Sequence, residues 1–244
     1  MVDCGLGPRS MAPYLEKAGL GWGDLGGVLL THLHGDHVRE PTLGRLMREG
    51  VPLHCHRRAA RHLARRSNPL SAAVKPKLLR PFSEGMFRAG PFRVSAFEVP
   101  HDAPGGCFGY TIFARTAGGL RKISIATDIG EYDQALVRRF ADSDVMVIES
   151  NYDEEMLEAT DRPRWLKERI RQVHFSNDQC AGFVAEVLAR SRRRPRIVVQ
   201  AHVSRESNNA ARAAGSLRDR LGHGHGVRLV ETHHLRESEL VTIE

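Results

Sequence analysis

The sequence predicts a layered α/β fold, and three observations carry that prediction. Short β-branched or aromatic runs alternate with amphipathic stretches along the whole chain, with turn-forming residues on their flanks. Strands and helices mixed in this way pack as layers over a shared core. At 244 residues, 41% hydrophobic and 27% charged, the chain can bury one sizeable core, so a single domain over 1–244 is expected. No apolar run reaches the roughly 18 residues of a membrane span. The opening MVDCGLGPRS has neither the basic nor the apolar region of a signal peptide.

In chain order, Met1–Cys4 reads as the end of a strand, Arg9–Ala18 as a helix and Leu25–Leu30 as a strand. Helix Val38–Glu49 precedes strand Val51–His54 and the arginine-rich helix Arg57–Arg66. Strands then follow at Phe92–Val99, Phe108–Ala114 and Lys122–Ala126, each a β-branched or aromatic run. Helix Tyr132–Phe140 leads to the apolar strand Val145–Glu149. Helix Asp178–Arg190, capped by Asn177 or Asp178, leads to strand Ile197–Ala201. Helix Asn208–Leu221, capped by Ser207 or Asn208, leads to strand Val227–Val230.

A formal charge of +7 and a pI near 9.6 favour polyanionic partners, nucleic acid first. A chain that is simply arginine-rich throughout would have the same balance. The basic runs Ser191–Arg196 and Arg57–Arg66 read either as solvated helix surfaces or as phosphate contacts. Cys4, Cys55, Cys107 and Cys180 form no C-x-x-C pair. They read as reduced, partly buried thiols of a cytoplasmic protein and as poor zinc ligands.

The chemistry concentrates in THLHGDH at Thr31–His37, directly after an apolar strand. Residues two apart in extended backbone point the same way, so His32 and His34 converge on one metal. Asp36 and His37, past Gly35, reach a second. Imidazole with carboxylate suits Zn²⁺, Mn²⁺ or Fe²⁺ in an open site. Further ligands stand after strands: His101, Asp128 in ATDIG, and His202. Any one alone is an ordinary loop residue. Two divalent ions against Asp36, Asp128 and a bridging hydroxide leave a residual positive charge suited to an anionic phosphate. His54, His56, His223, His225, His233 and His234 read as surface residues.

These motifs, with HDA at His101, ESNYD at Glu149, HFSN at His174 and AHVSRESNN at Ala201, resemble the metallo-β-lactamase superfamily in type and order. The last three resemble its YycJ/WalJ group, associated with 5′-to-3′ exonuclease activity on DNA. The resemblance covers essentially the whole chain and implies an αββα sandwich lacking its first strands and their glycine-serine loop. It implies that His32, His34 and His101 bind one metal. Asp36, His37 and His202 bind the other, and Asp128 bridges. It further implies a catalytic role for Asp36 and a proton-donating pair, Glu149 with His174. Ser176, Asn177, Ser204 and Asn208 are candidate substrate-binding residues. Tyr152 stands where many relatives have histidine, and Val173 where they have glycine.

The leading expectation is therefore a hydrolase with two divalent ions, Zn or Mn. It would use a metal-bridging hydroxide as a phosphodiesterase or exonuclease on nucleic acid, DNA before RNA. A hydrolase of a small ester, thioester or lactam is the alternative, and a non-catalytic nucleic-acid-binding relic a third. The short stretch from His101 to Asp128 leaves no room for the tRNA-gripping arm of tRNase Z-like enzymes, nor the remainder for a β-CASP domain.

Overall fold

The computed structural model describes residues 1–222, 226–233 and 236–243. His223, His225 and His234, expected at the surface, lie outside the described residues. The chain forms two compact units. One comprises Met1–Glu98 and Asp102–Phe108, the other Val99–His101 and Gly109–Glu244.

The first unit runs α1 (Pro8–Lys17), β1 (Val28–Leu29), α2 (Glu40–Arg48), β2 (Leu53–His56), α3 (Arg57–Leu63), β3 (Leu79–Phe82), β4 (Met86–Ala89) and β5 (Phe92–Val99). β1, β2 and β3 form a parallel sheet with β2 central, and β4 and β5 an antiparallel hairpin. β3 and β4 were not foreseen, because LRPF and MFRA are half-exposed and carry little apolar signal. α2 buries Thr42, Leu43, Leu46 and Met47, spaced to share one helical face. Leu43, Leu46 and Met47 join Leu53 and Cys55 of β2 and Ala59 and Leu63 of α3 in one core. All of β2 is buried, so His54 and His56 are core residues and not the surface residues expected. A strand covered on both faces gives an alternating sequence no exposed side. Burial, then nearby arginines, lowers the pKa of both and favours neutral rings.

Residues 1–5 run beside the motif loop. Cys4 N donates to His37 O at 2.7 Å, and Arg39 N to Cys4 O at 3.2 Å. A Cβ on Gly5 would stand 1.6 Å from Asp36 O, whereas one on Gly7 would meet nothing within 4 Å. Gly5→Ala is therefore expected to lower stability by about 1–3 kcal/mol, the range for a forced overlap. Gly7→Ala should leave the thermal midpoint nearly unchanged. Equal midpoints for the two variants would show that the loop yields freely.

The second unit contains β6 (Cys107–Thr116, from Gly109 on), β7 (Gly119–Ala126), α4 (Gln134–Phe140), β8 (Val145–Glu149), α5 (Glu154–Ala159), α6 (Arg164–Val173), α7 (Asn177–Arg190), β9 (Ile197–Ala201), α8 (Ala210–Leu221) and β10 (Arg228–Val230). Its strands lie in the order β10-β9-β8-β7-β6. Among these five strands β6 and β7 pair antiparallel, and the other neighbours pair parallel. Phe183, Val184 and Val187 of α7 are fully buried, with Phe183 and Phe140 edge to face at 5.1 Å. α5 and α6 were not foreseen. α7 is capped by Ser176, in a reciprocal pair with Gln179, and α8 by Asn209. Both caps differ from those expected, because the capping side chain must stand one residue before the first helical turn.

Candidate metal centre

In the first unit, the strand before Thr31 delivers three imidazoles to one place. His32 Nε2 lies 3.0 Å from His34 Nδ1, and the His32 and His37 ring centroids are 4.1 Å apart. His32 and His37 are buried, His34 is half-buried and Asp36 is exposed. A turn brings His37 N and Val38 N each to 3.0 Å from His34 O. Cys107 Sγ is 3.6 Å from His32 Nδ1.

Asp3, which the sequence did not single out, organises this cluster. Its carboxylate accepts from Thr31 N at 2.8 Å and Thr31 Oγ1 at 2.8 Å, and pairs with His37 Nδ1 at 2.7 Å. Holding Nδ1 fixes the ring and turns Nε2 towards Asp36 Oδ2, 3.7 Å away. Such a carboxylate behind a ligating histidine sets its tautomer and basicity. Asp3→Ala is accordingly expected to weaken metal binding about 10–100-fold, with Asp3→Asn intermediate, in titrations against a competing chelator. Wild-type affinity in both variants would reduce Asp3 to a structural clip on Thr31.

In the second unit, neighbouring parallel strands place the remaining candidates side by side. Ala126 pairs with Ile148, and Glu149 with Ala201, so Asp128, Glu149 and His202 all lie at strand carboxyl ends. Asp128 Oδ1 stands 3.7 Å from His101 Nε2, His202 Nε2 and His174 Nδ1. Those spacings exceed hydrogen-bond length. They approach the roughly 3.4 Å edge of a tetrahedron with metal–ligand bonds of about 2.1 Å. Asp128, Glu149, His174 and His202 thus form a group able to hold a cation, and the nitrogen and oxygen donors suit a divalent metal.

Glu149 is wholly buried and fully engaged. Oε1 meets His174 Nδ1 at 2.9 Å and His202 Nδ1 at 2.7 Å, while Oε2 accepts from Ile129 N at 2.8 Å and Phe175 N at 3.1 Å. Burial would raise its pKa, but the bonds to His174 and His202 outweigh that and hold it below the ordinary value. The sequence paired Glu149 with His174 alone; its hold on His202 was missed. Asn151 also donates to His202 O at 2.8 Å. His101 Nδ1 lies 3.2 Å from Val173 O. Because that contact uses a backbone carbonyl, valine in place of glycine does not remove it. Tyr152 is buried, and its backbone bridges to Ser176.

Asp3, Asp128 and His202 all have left-handed backbone, with φ of 56°, 60° and 55°. Few non-glycine residues adopt it.

The four expected substrate-binding residues make internal hydrogen bonds. Asn177 and Asn208 are buried and bonded to each other, and Asn177 Oδ1 accepts from Ser150 Oγ. Ser176 caps α7, and Ser204 Oγ accepts from Ser207 Oγ at 2.9 Å. The network braces the loops after β8 and β9. His233 is half-buried and meets Arg236 Nη2 at 3.0 Å. The four cysteines are all buried, more deeply than expected, and none is in a disulfide.

A model of the beta-lactamase superfamily domain matches residues 1–203. The exodeoxyribonuclease YycJ of Bacillus anthracis is 28% identical over 215 residues, covering 85% of this chain and 75% of that protein. The exodeoxyribonuclease WalJ of Streptococcus pneumoniae is 26% identical over 212 residues, covering 85% and 74%. Among solved structures, the metallo-beta-lactamase fold protein YhfI of Bacillus subtilis matches with a TM-score of 0.63 at 15% identity, covering 93% of this chain and 81% of that one. The short form of human tRNase Z matches with a TM-score of 0.56 at 20% identity, covering 84% and 81%. These two likenesses concern the fold.

Proposed function

The chain belongs to the beta-lactamase superfamily, and on that premise we propose that it is a two-metal phosphodiesterase cutting nucleic acid from an end, DNA before RNA. The observation that carries the reading is Glu149 holding His174 and His202 together beside Asp128. His32, His34 and His101 would hold one ion and Asp36, His37 and His202 the other, with Asp128 shared. Zinc or manganese there would supply an activated water and positive charge against a phosphate. Asp36 would serve as both ligand and catalytic carboxylate.

The chain's own residues do the rest. Glu149 orients His174 through Nδ1, leaving Nε2 to give a proton to the departing oxygen. Ile129 N and Phe175 N keep that carboxylate from turning away. The excess of Lys and Arg, 36 against 29 acidic residues, supports a polyanionic substrate. The names of the YycJ and WalJ relatives support an exonuclease acting on DNA. Among the described residues no helix is long and apolar enough to cross a membrane. Four buried thiols without a disulfide support a reducing, cytoplasmic setting.

The test is purified protein with Mn²⁺ or Zn²⁺ on end-labelled single- and double-stranded DNA and RNA. Stepwise shortening of DNA, lost in chelator and restored by metal, is expected. Hydrolysis of a small ester, thioester or lactam with intact DNA would establish the alternative instead.

A further inference from the structure

The arginine-rich helix of the first unit walls a cavity that the proposed chemistry does not use. It has a volume of about 330 Å³ and is lined by Arg58, Arg61, His62, Arg65, Gly105 and Gly106. Arg58 and Arg61 lie on α3 at the three-residue spacing of one helical face, and Arg65 follows just past its end.

Arg58 is fixed in place. Its guanidinium pairs with Glu98, lies 5.4 Å over the Phe108 ring, and its Nε donates to His56 Nδ1 at 3.3 Å. Arg61 and Arg65 are exposed, and among the described residues neither has a carboxylate partner. With Glu98 set against Arg58, the cavity keeps two uncompensated positive charges. The opposite wall is backbone. Gly105 and Gly106 have φ of 86° and 83°, and a Cβ on them would stand 2.6 Å from Ala59 N and 2.7 Å from Arg58 Nη2. The loop therefore packs closely on α3 without a side chain closing the cavity. The next residue, Cys107, contacts His32 of the metal cluster.

We infer that this cavity is a phosphate-binding subsite through which Arg61 and Arg65 hold the backbone of a single nucleic-acid strand. Guanidinium forks match phosphate oxygens in geometry and charge. Several guanidinium groups lining one open cavity suit a chain of phosphates better than one isolated anion. The inference rests on the proposed nuclease reading for the strand's identity.

The test measures binding of a fluorescent single-stranded DNA with a phosphorothioate backbone, which resists cleavage, to the metal-loaded protein across a salt series. The double variant Arg61→Ala, Arg65→Ala should bind more weakly, with the logarithmic salt slope flatter by about 1–2. Arg61→Lys, Arg65→Lys should keep most of the slope. A comparison pair at another exposed site, Arg192→Ala with Arg194→Ala, should move it less. In cleavage assays the Ala pair should raise KM on DNA and leave the rate on a nitrophenyl phosphodiester unchanged. An unchanged slope, or an equal effect from the comparison pair, overturns the subsite. Polyglutamate binding as tightly as DNA overturns it in favour of an acidic protein partner. If binding depends on Arg61 and Arg65 but no nucleic acid is ever cut, the subsite stands and the nuclease reading falls.

Discussion

Asp128→Ala should abolish hydrolysis, by about 10³-fold or more, the scale of losing a group that organises charge in a transition state. If the chain holds the two ions proposed, the substitution should also cut metal content from about two ions per chain to below one, because the carboxylate proposed to be shared would serve both positions. Asp128 Oδ1 stands 3.7 Å from each of three imidazole nitrogens. Elemental analysis after gel filtration reads the outcome directly. Two ions retained in the variant would end the bridging assignment, whatever the activity.

His174→Ala should keep both metals and the fold yet slow phosphodiester cleavage by about 10²–10⁴-fold, the range for lost general-acid catalysis. The deficit should shrink on a nitrophenyl phosphodiester, whose leaving group needs no proton. Glu149→Gln should have a broader effect than His174→Ala. The same carboxylate oxygen serves His174 and His202, so neutralising it should loosen metal binding about 10–100-fold as well. Equal slowing on both substrates in His174→Ala would make His174 a phosphate-positioning residue. Loss of a metal would make it a ligand.

The sequence marked most residues of both clusters because their signals are local. H-x-H-x-D-H follows an apolar strand, and His101, Asp128 and His202 each follow one. β5, β8 and β9 have the bounds expected, since each is a β-rich run with breakers beside it. What escaped depends on contacts distant in sequence. Asp3 meets His37 only when residues 1–5 lie against the motif loop, and nothing in MVDCG signals that approach. α6 buries only Ile170 and exposes Trp165, so its pattern shows too narrow an apolar stripe to read as a helix. In the basic run after α7, Arg193 donates to Asp142 and Asp144. That anchors it to its own unit, a role sequence spacing does not encode.

The left-handed backbone at Asp3, Asp128 and His202 places stability and chemistry in opposition. Such a conformation costs a non-glycine residue on the order of 1–3 kcal/mol, while glycine adopts it almost freely. Glycine at 128 or 202 should therefore fold better than alanine there, and be just as inert. A library screened for heat resistance alone would gather chains that have traded their ligands for an easier backbone. Only a screen that also demands turnover would keep the carboxylate and the imidazole.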